Sequence, residues 1–514
     1  MPSDPTARPR PNVLWIMTDQ HHADAMSCAG HPDVQTPNLD RIAARGVRFS
    51  RGYCNNPICS PSRICFITGR YMHDHRMFGN EHALWPEPNH DTLACLLRRH
   101  GYQTALIGKS HMTRRWDADG FEHIRYTDLC DADPNDPRTC HYFAQLDDLG
   151  LADAYEEGVP QAGHEHARDG SKPALLPYEH SIEKYTGDET LKFLRGRDTR
   201  RPFAVQMSFQ RPHEPITPAP EDFDLYDPDK LTLPDSADDY FEHRLAGRPK
   251  FMTDYAEQGG IYPLADPDPK RLRRCLASYY ALITAIDREI GRVLDELEAD
   301  GELDNTVIFF HADHGDFAGD HGLFHKNFGI FESIHRIPYL LSWPGGPRGE
   351  VRSELVDSVD WYTTCCALCD VSVPAHLNLP GRVLSEPHEP HEPTDHTICE
   401  WQATRTKQKV SAIRTDTHRL VYHGDQIPGN IHGELYDHTT DPGETRNLWN
   451  DPEHAALQTR LMNRLFTFTL EYGCTTTMQD GNATLRRERF APRNLIHQQQ
   501  KAWSSLKQVY EEPT

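Results

Sequence analysis

Four short, mostly apolar runs, each closing on a cluster of titratable residues, limit this chain more than any other feature. They are residues 12–17 (NVLWIM) before Asp19 and Gln20; 103–107 (QTALI) before Gly108, Lys109, Ser110 and His111; 203–209 (FAVQMSF) before Arg211 and His213; and 306–310 (TVIFF) before Asp313 and His314. Runs this short and this apolar read as strands buried on both faces, the pattern of a parallel sheet. Open parallel sheets gather ligands at the carboxyl ends of their strands. The expected fold class is therefore α/β: a large, mostly parallel central sheet flanked by helices, plus a smaller C-terminal domain with an antiparallel sheet and a helix.

The segments between these runs supply the other elements. Thr36 is the expected N-cap of a helix with Pro37 at its first position, and Gly46 stops it. Residues 47–53 lead on as a strand. Asp91 and Thr92 cap a second helix, closed by Gly101. Leu272, Leu276, Tyr279, Ile283, Ile286, Ile290, Val293 and Leu297 step by three or four, giving a long helix one buried stripe and a scaffolding role. Residues 339–343 form a further strand, and Asp360 starts a helix. Residues 114–200 read as long loops, with His164 and His166 solvated rather than ligating. Residues 397–400, 408–414, 418–422 and 434–436 are short strands between turn signals, followed by a helix over 452–472. The expected boundaries are a catalytic domain over 1–375, a linker or surface loop over 376–395, and a C-terminal subdomain with an extension over 396–514.

The formal charge of −23 over 514 residues argues against a nucleic-acid partner. An anionic substrate would have to be drawn by a local group of cations. The opening MPSDPTARPRPN has no apolar core of a signal peptide, and no run approaches a membrane span, so no membrane partner is expected. Thirteen irregularly spaced cysteines suggest a reducing cytoplasm. Cys366 and Cys369 form a C-x-x-C inside an apolar helix, where core packing is the expected role.

The chemistry centres on Cys59-Ser60-Pro61-Ser62-Arg63, at the start of a helix-compatible run ending at Gly69. A helix N-terminus favours an anion, Pro61 suits a first turn, and Arg63 offers a planar fork of donors to an oxyanion. Taken alone, Asp19 reads equally as a helix cap or a metal ligand, Lys109 and His111 as an exposed pair, and His213 as a turn histidine. Asp313 and His314 beside Gly315 are a common cation-binding arrangement. On an extended segment Lys109 and His111 would face the same way.

Together with TPNLDRIAARGVRF (36–49), GK-x-H, PH-x-P, D-H-G and DP-x-E-x-x-N-L (441–448), these residues make the chain resemble the sulfatases of the alkaline phosphatase superfamily. Phosphonate monoester and phosphodiester hydrolases are closely related to that family. The resemblance implies that Cys59 is oxidised to formylglycine by a separate generating enzyme. It implies one divalent cation on Asp19, Gln20, residue 59, Asp313 and His314, with calcium expected and manganese as the alternative. It assigns catalysis to Cys59, Arg63, Lys109, His111, His213 and Lys326. Residue 59, as a hydrated aldehyde, attacks sulfur; Arg63, Lys109 and Lys326 stabilise the equatorial oxygens. His213 protonates the departing alcohol, and His111 takes the proton whose loss expels sulfate. The expected substrate is a small sulfate monoester. A phosphonate monoester or phosphodiester is the first alternative, and a silent metal-binding protein with unmodified Cys59 the second. A homo-oligomer is expected.

Overall fold

A computed structural model describes residues 10–75, 77, 79–80, 91–112, 120–128, 140–154, 172–250, 252, 268–326, 329–386, 395–403, 408–424 and 432–473. His164, His166, residues 387–394 of the 376–395 linker and the tail beyond Gly473 lie outside the described residues. Residues 1–465 form one compact unit and 466–514 another, the second described only at the end of its leading helix.

The strands are β1 (Asn12–Asp19), β2 (Val47–Phe49), β3 (Gly52–Tyr53), β4 (Gln103–Gly108), β5 (His123–Tyr126), β6 (Phe203–Pro212), β7 (Thr306–Ala312), β8 (Arg336–Ile337), β9 (Tyr339–Ser342), β10 (Glu350–Arg352), β11 (Val356–Asp357), β12 (His396–Ala403), β13 (Gln408–Thr415), β14 (His418–His423) and β15 (Gly433–Asp437). Eight of them make the central sheet, in the order β10-β2-β9-β7-β1-β6-β4-β5. All its pairings are parallel except those of β9, which runs antiparallel to both β7 and β2. The four apolar runs of the sequence are four consecutive neighbours in it, β7-β1-β6-β4. Their titratable tails therefore emerge side by side at one edge.

Alternate residues of these strands feed two cores, as a period of two demands. Val13, Trp15 and Met17 of β1 face a core completed by Ile64, Phe66 and Ile67 of α2 (Cys59–Thr68) and by Trp361, Tyr362 and the 365/366/369 cysteines. Leu14 and Ile16 face a core completed by α1 (Pro37–Arg45) and two further helices, α4 (Ile182–Gly196) and α5 (Pro269–Ala299). Between them in sequence, α3 (Leu93–Arg99) is capped by Thr92, whose hydroxyl accepts the Cys95 N–H at 3.0 Å.

Four-stranded β12-β13-β14-β15 is antiparallel throughout, and α8 (Ala455–Gly473) follows it after two short helices, α6 (Glu332–His335) and α7 (Asp360–Leu368), earlier in the chain. The small sheet braces the chain just ahead of Cys59. Asn55 O accepts the Glu400 N–H at 3.0 Å, and Asn55 Nδ2 donates to Ile398 O at 2.9 Å. Ile58 packs with Cys399, Trp401, Val410 and Val421.

The expected 47–53 strand is two short strands in different sheets. Residues 114–200 are less loop-like than their sequence reads: β5 and α4 lie within them. No helix among the described residues is long and apolar enough to cross a membrane.

Candidate active site

At the end of β1, Asp19 is fully buried, and Gln20 takes a left-handed backbone (φ 64°) that turns the chain out of the sheet. At the end of β7, Asp313 and His314 are equally buried. Cys59 is the first residue of α2, with Pro61 in the first turn. Asp19, Cys59, Asp313 and His314 offer ligand atoms that all lie within 4.8 Å of one another.

Cys59 Sγ is 3.2 Å from His314 Nε2 and 3.7 Å from Asp19 Oδ1. The Lys326 ammonium lies 3.0 Å from both that sulfur and His314 Nε2, so the donor set already attracts a positive charge. His314 Nδ1 donates to Gly315 O at 2.9 Å, which leaves Nε2 as the lone-pair nitrogen facing the cluster. Two carboxylates and an imidazole around residue 59 suit a hard-to-borderline divalent cation.

Arg63 is turned toward the two carboxylates. Its Nε donates to Asp313 Oδ2 at 2.8 Å and its Nη2 to Asp19 Oδ2 at 3.0 Å. Its Nη1 donates to Lys109 O and Ser208 Oγ. The guanidinium is wholly buried and its fork is engaged, so it positions the two carboxylates. Two like charges converging in a protein interior need such a partner.

Gln20 reaches the cluster by its backbone, whose N–H donates to Asp313 Oδ1 at 3.0 Å. Its side-chain nitrogen donates instead to Asp316 Oδ2 at 2.6 Å and lies 3.1 Å from His325 Nδ1.

Lys109 follows β4 and sets its ammonium 2.6 Å from Asp19 Oδ2. The turn there depends on Gly108: φ is 111°, and a Cβ would lie 1.7 Å from Ser208 O. His111 reaches the thiol, but not along an extended segment. It has φ 52°, and the Asp128 carboxylate accepts the N–H groups of both Ser110 and His111 at 3.0 Å. His213 N–H donates to Asp19 O at 3.1 Å, and its Nδ1 donates to Glu214 O at 2.8 Å. A carbonyl only accepts, so Nε2 is the nitrogen available to exchange a proton.

Charge follows this geometry. Burial pushes the Cys59 thiol up, but Lys326 and Lys109, with a hydrogen bond from His111, bring it well below its ordinary value. Burial also pushes the Asp19 carboxyl up, and Lys109, His213 and Lys326 hold it well below the usual carboxylate range.

Ser208, Asp128 and Asn80, whose Oδ1 accepts the Ser60 N–H at 3.0 Å, also shape the site. Each acts on a backbone group or on Arg63, far away in sequence. Only Ser208, a polar residue inside an apolar run, left a local signal.

A buried nucleophile position, a cation-binding cluster and two flanking ammonium groups define a hydrolase site for tetrahedral oxyanion esters. The Sulfatase family profile matches residues 11–371, and that of the N-sulphoglucosamine sulphohydrolase C-terminal region matches 319–470. The chain belongs to the sulfatase family. It is 28% identical to an N-acetylglucosamine-6-O-sulfatase of Bacteroides thetaiotaomicron, over 89% of this chain and 86% of that one. It is 30% identical to an arylsulfatase of Clostridium perfringens, over 87% of this chain and 91% of the other. The fold is shared with a phosphonate monoester hydrolase from Silicibacter pomeroyi, at TM-score 0.74 and 24% identity over 91% of this chain and 97% of that one.

Proposed function

We propose that this protein hydrolyses sulfate monoesters to an alcohol and sulfate, with residue 59 carried as formylglycine beside one calcium ion. The observation that carries the reading is Cys59 Sγ lying among Asp19, His314 and Lys326, at the meeting point of four strand ends. A hydrated aldehyde at residue 59 would supply the nucleophilic oxygen, and the cation held by Asp19, Asp313 and His314 would supply Lewis acidity.

The remaining work falls to this chain's own side chains. Lys109 and Lys326 stabilise the charge that develops on the ester's equatorial oxygens. His213 Nε2 delivers a proton to the departing alcohol. His111 accepts a proton at residue 59 in the step that releases sulfate. Arg63 keeps the two carboxylates in register. The reading requires a formylglycine-generating partner, and the cysteine pattern argues for a cytoplasmic setting.

A phosphonate monoester or phosphodiester is the second reading, favoured by the imidazole in the cation site and by the fold shared with a phosphonate monoester hydrolase. The test is kcat/KM for aryl sulfate, glucosamine 6-sulfate and aryl phosphonate, using protein whose residue-59 aldehyde is verified by mass spectrometry. Sulfate esters should be preferred. A phosphonate preference of about a hundredfold or more, some 3 kcal/mol in transition-state stabilisation, would transfer the function to the second reading. Protein from its natural host carrying only the cysteine mass, with no turnover, would leave a silent metal-binding protein. Chelation should abolish turnover, and calcium should restore it better than manganese.

A further inference from the structure

The imidazole of His213 has no side-chain partner among the described hydrogen bonds; its ring bonds to the carbonyl of its own neighbour, Glu214. Its aim therefore depends on the turn that carries it. That turn is gathered from behind by one guanidinium. Arg211 is 4% exposed, and its Nη1 donates to His213 O at 3.0 Å and also to Pro215 O. A single donor group thus ties the carbonyls on both sides of Glu214.

Arg211 in turn has a buried counter-charge. Glu183, in the first turn of α4, brings Oε1 to 3.6 Å from Arg211 Nε. That separation suits an ion pair and is too long for a hydrogen bond. Glu183 Oε1, Arg211 Nε and Thr217 Oγ1 are buried without hydrogen bonds among the described residues, and the three residues line a cavity of about 30 Å³ with Tyr142, Leu176 and Ser181. A guanidinium kept in such a setting needs its carboxylate, because an unpaired buried charge is costly. The pair links α4 to the site, which gives that helix a use beyond packing on the sheet.

We propose that Arg211, held by Glu183, is a positioning residue that aims His213 at the leaving-group oxygen. The inference rests on the reading of His213 as proton donor. Proton donation matters most when the departing alcohol is a poor leaving group, so misaiming His213 should be felt unevenly across substrates.

The test is a leaving-group series from nitrophenyl to phenyl to alkyl sulfate, measured for the wild type, Arg211→Met, Glu183→Gln, His213→Ala and the Arg211→Met/His213→Ala double variant. Arg211→Met should lower kcat for phenyl sulfate about tenfold more than for nitrophenyl sulfate, with KM little changed. In the His213→Ala background the same substitution should change kcat by less than about twofold, because its effect passes through the missing imidazole. Glu183→Gln should act in the same direction more weakly, and it carries the test if Arg211→Met does not fold.

Equal losses across the series, or the same loss with and without His213, would overturn the inference while leaving the hydrolase reading intact. A flat series in His213→Ala would remove the proton-donor reading and the inference with it. If the wild type cleaves only phosphonate esters, a matching series of phosphonates discriminates in the same way.

Discussion

Arg63 lies between two wholly buried carboxylates, so replacing it tests what it is for. Arg63→Met leaves Asp19 and Asp313 facing each other with less compensation. The chelator-treated variant should lose about 3–5 kcal/mol in denaturant unfolding relative to wild type. Calcium should recover part of that loss, since a cation bound only by the folded state stabilises it by mass action. A loss under about 1 kcal/mol would show that Arg63 does not neutralise the pair. Lys326→Ala should lower kcat about 10²–10³-fold in steady-state assays, the scale for removing one group that meets developing charge. At this scale the sequence was legible in residue type and less so in role. Asp19, Asp313 and His314 meet at adjacent strand ends, and Cys59 joins them from the first turn of α2. The engagement of Arg63 and the turn that brings His111 to the thiol depend on partners such as Asp128 and Ser208, which no local pattern announces.

Among the elements, α1 shows how a correct boundary can hide its cause. Thr36 occupies the N-cap position, yet its hydroxyl accepts from the Ser27 N–H at 2.8 Å and does not cap the helix. The cap comes from α5: Asp287 accepts the N–H groups of Asn38 and Leu39 at 3.1 and 2.8 Å. Asp287→Ala should therefore cost about 1–2 kcal/mol in thermal or denaturant unfolding, and Thr36→Val should cost less. An equal cost for both would place the cap on Thr36 after all. The scaffolding reading of α5 is thus extended, since it also closes the helix ahead of the Cys59 segment. α4 escaped the sequence reading because Thr186, Gly187 and Thr190 weaken its helical signal. In the structure both threonine hydroxyls bond the carbonyl four residues back at 2.8 Å, and Gly187 is needed where a Cβ would meet Glu289 at 1.9 Å. Tertiary packing supplies what local propensity lacks.

Across the molecule, the antiparallel sheet is joined to the catalytic core by buried charge. Arg419 of β14 pairs with Glu332 of α6 and, at 2.6 Å, with Glu444 of the DP-x-E-x-x-N-L turn. His438 adds a contact to Glu444 at 2.9 Å, and the Glu332 N–H donates to the same carboxylate at 2.8 Å. Burial pushes the Glu444 carboxyl up, but Arg419 and His438 bring it from 4.5 to about 2. A depressed carboxyl stabilises the fold above its free value and loses that contribution as the pH falls from about 4.5 to about 2. The shift corresponds to about 3 kcal/mol. Glu444→Gln should lower stability near neutrality and flatten its fall over that window, measured by unfolding at successive pH values. The motif that marked the turn carried no hint of this network, because Arg419 and Glu332 belong to segments that look ordinary in isolation.

What all three scales serve is a reactive position 59 supported by residues brought from across the chain. The most direct measurement is turnover of nitrophenyl sulfate by aldehyde-verified wild-type protein and by Cys59→Ala, both loaded with calcium. Wild type should release sulfate, and the variant should fall by about 10³-fold or more while its unfolding curve stays close to wild type. Comparable turnover by the two proteins would contradict the account.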